Sequence, residues 1–102
     1  MYLVIVTTVQ PAIIVRHEIV YASLGQKVIL ECISDSHPNS VNYWLYGKDF
    51  VQGGTYESMT IENIYRVTMK LVIRPKDTND FGPYKCISKN SIGETEKVIY
   101  LH

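Results

Sequence analysis

The feature that most constrains the fold is a stretch near the C-terminus in which Asp80, Gly82, Tyr84 and Cys86 occupy alternate positions. Gly82 allows the chain to turn a corner, and the alternation predicts that it then enters a strand with Tyr84 and Cys86 on the inner face. Cys32 ends an alternating apolar run of its own. Both sulfur atoms are therefore expected to point into one core from two different strands.

The two cysteines predict a disulfide between Cys32 and Cys86, with Trp44 packed against the sulfur atoms. Such a bridge would close a loop of about 50 residues and stabilise the fold by roughly 4 kcal/mol on the chain-entropy model. A single matched pair on facing strands suits an oxidising, extracellular compartment. The alternative is a pair of buried thiols in an intracellular protein.

The length of 102 residues limits the chain to about one domain. We expect that domain over residues 11–102, and we interpret residues 1–10 as the end of a preceding domain followed by a linker. The reason is Pro11, which cannot donate a hydrogen bond to a sheet. The alternative is an ordinary first strand with a kink at this proline.

The charge balance argues against a protein that binds nucleic acid or an acidic membrane, and the apolar runs argue against a membrane-spanning helix. Ten basic and ten acidic side chains give a formal net charge of zero, so no broad field favours nucleic acid or an acidic membrane surface. No apolar run approaches the roughly 20 residues that a membrane-spanning helix needs. If the protein acts at a cell surface, we expect its targeting signal and its lipid or transmembrane anchor to lie outside this chain.

The order Cys, Trp, Asp-x-Gly-x-Tyr-x-Cys resembles the immunoglobulin superfamily over about residues 11–101. The resemblance implies an all-β, immunoglobulin-like β-sandwich of the I-set type, with two antiparallel sheets in Greek-key topology. It also implies that the hydroxyl of Tyr84 bonds back to the preceding turn, and that Trp44 lies on strand C. The residues expected in the structural core, beside the two cysteines, are Trp44, Leu71, Asp80, Gly82 and Tyr84.

Alternation and turn residues predict where the strands begin and end. The predicted strands are residues 13–16 with 19–22, then 27–34, 41–46, a short irregular strand 56–62, 65–73, 83–89 and 94–101. Residues 35–40 are predicted as the loop between strands B and C. Residues 75–80 are predicted as a crossover in which Asp77 caps a single helical turn, with Arg66 or Arg74 as ion-pair partner of Asp80.

The chain offers no convincing catalytic, cofactor or metal site. The histidines His17, His37 and His102 lack the close spacing that would preorganise zinc. Asp77 and Asp80 are close carboxylates, yet they lie where the predicted turn needs polar groups. No glycine-rich phosphate-binding motif and no Asn-x-Ser/Thr glycosylation site is present, so we expect no enzyme and no bound cofactor.

Two stretches narrow the resemblance: the approach to strand C at residues 38–44 and the hairpin at residues 89–94. Both look like the third immunoglobulin domain of insect Dpr-interacting proteins and lachesin, relatives of the vertebrate IgLON adhesion proteins. This implies a non-enzymatic, extracellular, membrane-proximal spacer in a neuronal recognition protein that acts in adhesion and synaptic partner choice. Its partners would be cell-surface immunoglobulin proteins, contacted mainly through other domains. Pro83 departs from the small residue usual before the tyrosine.

If this domain itself binds a partner, the sheet formed by predicted strands C (residues 41–46), F (83–89) and G (94–101) is the favoured face. The outward candidates are Tyr43, Tyr46, Lys85, Ile87 and Lys89. Two other functions stay open at this point: a structural spacer in an intracellular muscle giant protein, and a module in the ectodomain of a receptor kinase.

Overall fold

The computed structural model describes residues 9–51, 53 and 56–102. Over these residues the chain forms nine strands and one short 3-10 turn, Thr78–Asp80. The strands are β1 Val9–Ile14, β2 Ile19–Val20, β3 Val28–His37, β4 Val41–Tyr46, β5 Asp49–Phe50, β6 Tyr56–Glu62, β7 Arg66–Ile73, β8 Gly82–Lys89 and β9 Glu94–Leu101.

The strands form two sheets, which confirms the predicted all-β sandwich. The four-stranded sheet has the order β1-β3-β7-β6, and the five-stranded sheet has the order β2-β9-β8-β4-β5. Neighbouring strands pair antiparallel except for β2, which runs parallel to β9. The chain crosses between the sheets several times, for example from β3 to β4 and from β7 to β8, and the core lies between the inner faces of the two sheets.

The core is built around a disulfide between Cys32 on β3 and Cys86 on β8, which joins the two sheets. Trp44 on β4 lies opposite Cys86 in the register of the five-stranded sheet and is buried. Leu71 and Tyr84 are fully buried in the same apolar cluster. Burying an aliphatic or aromatic side chain of this size contributes about 1.5–3 kcal/mol each, so these few positions carry much of the stability.

Where the chain enters β8, the hydroxyl of Tyr84 bonds back to the preceding turn, an arrangement called a tyrosine corner. The hydroxyl of Tyr84 donates a hydrogen bond to the carbonyl oxygen of Asp80 at 2.6 Å, and it lies 3.2 Å from the hydroxyl of Tyr56. Gly82 turns the chain with a φ of 123°, and the ring of Tyr46 occupies the space beside its Cα, where a Cβ would lie 3.3 Å from the Tyr46 oxygen. A side chain at this position would be both strained and crowded.

The crossover before β8 contains the predicted helical turn. Asp77 is its N-cap, and its Oδ1 accepts a hydrogen bond from the backbone N–H of Asn79 at 2.7 Å. Asp80 accepts hydrogen bonds from the backbone N–H groups of Lys76 at 2.8 Å and Asp77 at 3.3 Å. These bonds satisfy backbone donors that have no partner in a short turn.

The predicted ion pair between Asp80 and an arginine is wrong. Arg66 lies at the start of β7 and forms a two-point ion pair with Asp35, with N–O distances of 2.7 and 2.9 Å. Within the described residues, no ion pair joins Arg74 to Asp80. The physical reason is that the carboxylate of Asp80 is used by backbone N–H groups of its own turn.

The prediction of a loop at residues 35–40 is wrong for its first half. β3 continues to His37, because Asp35 pairs with Ala12 on β1 and with Arg66 on β7. Sheet partners on both sides keep these polar residues extended, and residues 38–40 alone connect β3 to β4. β6 has the predicted bounds, but it is regular: it pairs with β7 at every position from Tyr56 to Glu62.

The predicted preceding domain and linker, residues 1–10, lie mostly outside the described residues. Val9 pairs with His37, so β1 begins before Pro11 and continues through it, with a register shift between Val9 and Ala12. The first strand is split as predicted, with a break between β1 and β2, but β1 ends at Ile14 and β2 spans two residues. The domain boundary at residue 11 stays a prediction.

Candidate recognition face of the five-stranded sheet

Three neighbouring strands of the five-stranded sheet direct alternate side chains away from the core. Because Trp44, Cys86 and Ile99 are buried inside the sandwich, the residues on either side of each of them, and every second residue from there along the same strand, point outward. We call this surface the recognition face. Its members on β4, β8 and β9 are Val41, Tyr43, Leu45, Lys85, Ile87, Lys89, Glu94, Glu96 and Val98.

Tyr43 is the aromatic centre of the β4 side of this face. Its ring centroid lies 5.3 Å from that of Phe50 on β5, and Phe50 is 64% exposed. Val41, two positions before Tyr43, is 68% exposed. Together with Tyr43, which is half-buried, these side chains form an apolar and aromatic strip, a composition found at the centres of protein interfaces.

Ile87 points outward, as predicted, but it is only 3% exposed and does not offer a contact surface. It lies on the middle strand, between Tyr43 on β4 and Glu96 on β9. Longer side chains on both neighbouring strands leave little room for solvent above it. The prediction of Ile87 as an available contact residue is therefore wrong, and its role is to support Tyr43.

Tyr46 does not belong to the recognition face, so that prediction is wrong. It lies two positions after Trp44 and therefore on the same, inner side of β4. Its ring stacks on Tyr84 with the centroids 4.6 Å apart, and its hydroxyl donates to the carbonyl oxygens of Asn79, at 2.7 Å, and Phe81. Burial raises the pKa of its hydroxyl, with smaller contributions from neighbouring acidic groups.

Charges of both signs cover the β8 and β9 side of the face. Lys85 forms an ion pair with Glu96 at 3.6 Å, and both side chains stay partly exposed. Lys89 lies opposite Glu94 in the register of β8 and β9 and is exposed. Exposed pairs of this kind contribute at most about 1 kcal/mol to folding, so they are available to a partner at little cost in stability.

A buried polar cluster behind the recognition face was missed in the sequence. The hydroxyls of Ser34 and Ser88 lie 2.7 Å apart, and Ser88 donates to Oδ1 of Asn42 at 2.7 Å. The sequence pattern could have predicted this cluster, because Ser34 and Ser88 each lie two positions after a cysteine in a strand and therefore on the same, inner face. These bonds join β3, β8 and β4 near one end of the sandwich.

Among the described residues, the metal-ligating side chains form no group of three or more, and no cysteine thiol is free. His37 packs its ring against Tyr65 and His102 packs against Tyr21, each at 5.4 Å. No helix within this part of the chain is long and apolar enough to cross a membrane.

Two facing sheets, an inter-sheet disulfide, a buried tryptophan opposite one cysteine and a tyrosine corner define an immunoglobulin-type domain. The family model for the immunoglobulin I-set domain matches residues 11–102. The chain therefore belongs to the I-set immunoglobulin family.

Proteins of two kinds resemble the chain. A chain in the crystal structure of Dpr2 Ig1-Ig2 in complex with DIP-Theta Ig1-Ig3 is 38% identical, with a TM-score of 0.88, over 92% of this chain and 32% of that one. Neural cell adhesion molecule 1 of Rattus norvegicus is 33% identical over 100 residues, 95% of this chain and 11% of the relative. Titin of Drosophila melanogaster is 33% identical over 72 residues, which are 71% of this chain and, to the nearest per cent, 0% of titin. The chain thus spans about a tenth or less of these curated relatives.

Proposed function

We propose that the chain is a non-enzymatic, extracellular domain of a cell-surface recognition or adhesion protein, in which it acts as a spacer near the membrane. The observation that carries this proposal is the disulfide between Cys32 and Cys86. Disulfides persist in oxidising compartments and are rare in the cytosol, where thiols are kept reduced. The identity of 33% to neural cell adhesion molecule 1 of Rattus norvegicus supports an adhesion protein of the nervous system as the parent protein.

The recognition face supplies a second, smaller part of the proposal. Its aromatic and apolar strip, the exposed Val41 and Phe50 with the half-buried Tyr43 between them, adjoins the charged residues Lys85 and Lys89. A partner that buries Tyr43 would exclude water from a rigid aromatic ring. The two lysines would favour a partner with acidic side chains around the edge of the contact. The partner class is another immunoglobulin-type domain at a cell surface.

The experiment that tests the compartment is the intact mass of the chain produced through a secretory pathway, with and without reductant, together with thermal melting. We expect reduction to add the mass of two hydrogen atoms and to destabilise the fold by about 4 kcal/mol. The double variant Cys32→Ala, Cys86→Ala is the control, because its melting should not respond to reductant. Two free thiols in a secreted domain that folds stably would overturn the proposal.

A second candidate function is favoured by the match to titin: a structural spacer in an intracellular muscle protein. This function requires neither a bridge nor an exposed binding strip. The mass measurement separates the two, since free thiols together with an undiminished melting temperature would favour the muscle protein.

The recognition face is tested by surface binding to a panel of purified extracellular immunoglobulin-type domains. We expect Tyr43→Ala to weaken any specific association by about 30-fold or more, the loss typical of a buried aromatic anchor. Tyr65→Ala is the matched control, because Tyr65 is exposed but lies in the turn between β6 and β7 of the other sheet. Equal losses in both variants, or none in either, would contradict the assignment of the face.

A further inference from the structure

Over the residues that the structure describes, the two sheets have four edge strands, and three of them are poor templates for a further strand. β2 and β5 span two residues each. β1 contains Pro11 and a register shift between Val9 and Ala12, and the hydroxyl of Thr95 donates to the carbonyl oxygen of Pro11. Short edges, prolines and irregular register are the means by which sheet proteins avoid edge-to-edge pairing.

The fourth edge, β6, has none of these protections. It is seven residues long, it contains neither proline nor lysine, and it pairs with β7 without a register shift. Its outward apolar side chains are open to solvent: Met59 is 41% exposed and Ile61 is 52% exposed. A long, regular edge strand with exposed apolar residues is the usual site of strand addition.

The turn after β6 shows which residues of β6 point their backbone N–H and C=O groups away from β7. The N–H of Asn63 donates to the carbonyl oxygen of Arg66 at 2.8 Å, so Asn63 directs its backbone groups toward β7. Along an antiparallel strand, residues that face the partner alternate with residues that face away. The residues of β6 whose backbone groups face the open edge are Tyr56, Ser58, Thr60 and Glu62. The N–H of Tyr56 already donates to the carbonyl oxygen of Gly53 at 3.0 Å, so Tyr56 offers only its C=O group there.

We propose that β6 pairs with β6 of a second copy of this chain, antiparallel and with two-fold symmetry about Met59. The two four-stranded sheets would then form one continuous sheet of eight strands. Among the four edge strands of the described residues, β6 is the longest and pairs without a register shift, so a second β6 is the edge strand that satisfies the most of its backbone groups. Closed two-fold pairing also ends the assembly at a dimer.

The side chains of β6 are self-complementary in this register. Met59 lies opposite Met59 of the second copy, Glu57 lies opposite Ile61, and Tyr56 lies opposite Glu62. No carboxylate faces a carboxylate, and the two copies of Glu57 are separated by about 13 Å, beyond the screening length at physiological salt. Ser58 and Thr60 pair reciprocally and supply four backbone hydrogen bonds across the two-fold axis.

The dimer is expected to be weak. Edge pairing buries one strand on each copy, much less than the roughly 1,600 Å² of a standard interface. We therefore expect a dissociation constant on the order of 0.1–1 mM. Such an interface would be populated where copies are concentrated, as on a membrane or in a filament.

The decisive experiment is sedimentation velocity of the 102-residue chain from about 10 µM to 1 mM, with variants at Thr60. Thr60→Pro removes an N–H that faces the open edge and leaves the bonds to β7 in place, so it should weaken the dimer at least tenfold. Thr60→Val keeps the N–H and should still dimerise. A chain that stays monomeric at 1 mM, or a dimer that Thr60→Pro does not weaken, would overturn the proposal.

Charge substitutions at Met59 test the two-fold axis without altering the backbone. Met59→Lys and Met59→Glu each place like charges opposite one another, so each alone should dimerise several-fold more weakly. Mixed in equal amounts they should form a heterodimer at least as tight as the wild-type dimer. A mixture that remains monomeric, while the wild-type chain dimerises, would overturn the Met59-centred register.

Amide hydrogen exchange provides a residue-level reading in the same samples. The amides of Ser58, Thr60 and Glu62 should become more protected as concentration rises, whereas those of Met59 and Ile61 should be protected throughout. Concentration-dependent protection on β4 or β8 instead would place the contact on the recognition face and overturn the proposal.

Discussion

The hydroxyl of Tyr84 provides the sharpest test of how the tyrosine corner stabilises the fold. Tyr84→Phe keeps the buried ring and removes one oxygen. The carbonyl oxygen of Asp80 loses its donor at 2.6 Å, and the hydroxyl of Tyr56 loses an acceptor at 3.2 Å. A hydrogen bond contributes about 0.5–1.5 kcal/mol net, and a buried group left without a partner costs about 1–3 kcal/mol. We expect a loss of about 2 kcal/mol in the free energy of unfolding.

Urea unfolding at pH 7 measures this loss directly. The midpoint should fall while the slope with urea stays unchanged, because the surface exposed on unfolding is almost the same. The melting temperature should fall by roughly 8–16 °C for a domain of this size. The matched control is Tyr100→Phe, which removes an exposed hydroxyl and should change stability by less than about 0.5 kcal/mol. If Tyr84→Phe behaved like this control, the bond to Asp80 would not stabilise the corner.

Three further predictions follow from the buried groups. Burial raises the folded-state pKa of Tyr84 above its unfolded value of about 10. The stability that its neutral hydroxyl contributes is therefore present below pH 10 and is lost as the pH rises further. Urea unfolding at increasingly alkaline pH should show a larger loss of stability in the wild type than in Tyr84→Phe. Ser88→Ala leaves the hydroxyl of Ser34 buried without its partner and should cost about 1–3 kcal/mol by urea unfolding. Gly82→Ala places a side chain at a φ of 123° against Tyr46 and should cost at least about 1–3 kcal/mol, measured by thermal melting.

Two-residue alternation explains how much of this fold the sequence predicts. Period-two patterns in β3, β7 and β8 assign Cys32, Leu71 and Cys86 to one core, because adjacent side chains in a strand must face opposite sides. The same rule applied from Trp44 gives Tyr46 an inner position, so its placement on the outer face was an error of reasoning and not a lack of signal.

Other differences lie beyond what alternation can decide. The pattern gives the direction of Ile87 but not its exposure, which depends on Tyr43 and Glu96 on two separate strands. The extension of β3 to His37 and the pairing of Asp35 with Arg66 depend on the register between β3 and β7. Register is set by long-range packing, and a run of polar residues such as 35–37 resembles a loop until a neighbouring strand pairs with it.

The two proposed interaction surfaces lie on different sheets, and this separation makes them independently testable. The recognition face belongs to the sheet that contains β4, β8 and β9, whereas β6 is the outer strand of the other sheet. A dimer formed through β6 would therefore leave the recognition face, with Tyr43, uncovered on both copies. Tyr43→Ala should not change the sedimentation of the chain, and Thr60→Pro should not change its affinity for a partner in solution. Because the dimer presents two recognition faces, Thr60→Pro should weaken binding only where the partner is itself displayed in many copies, through lost avidity.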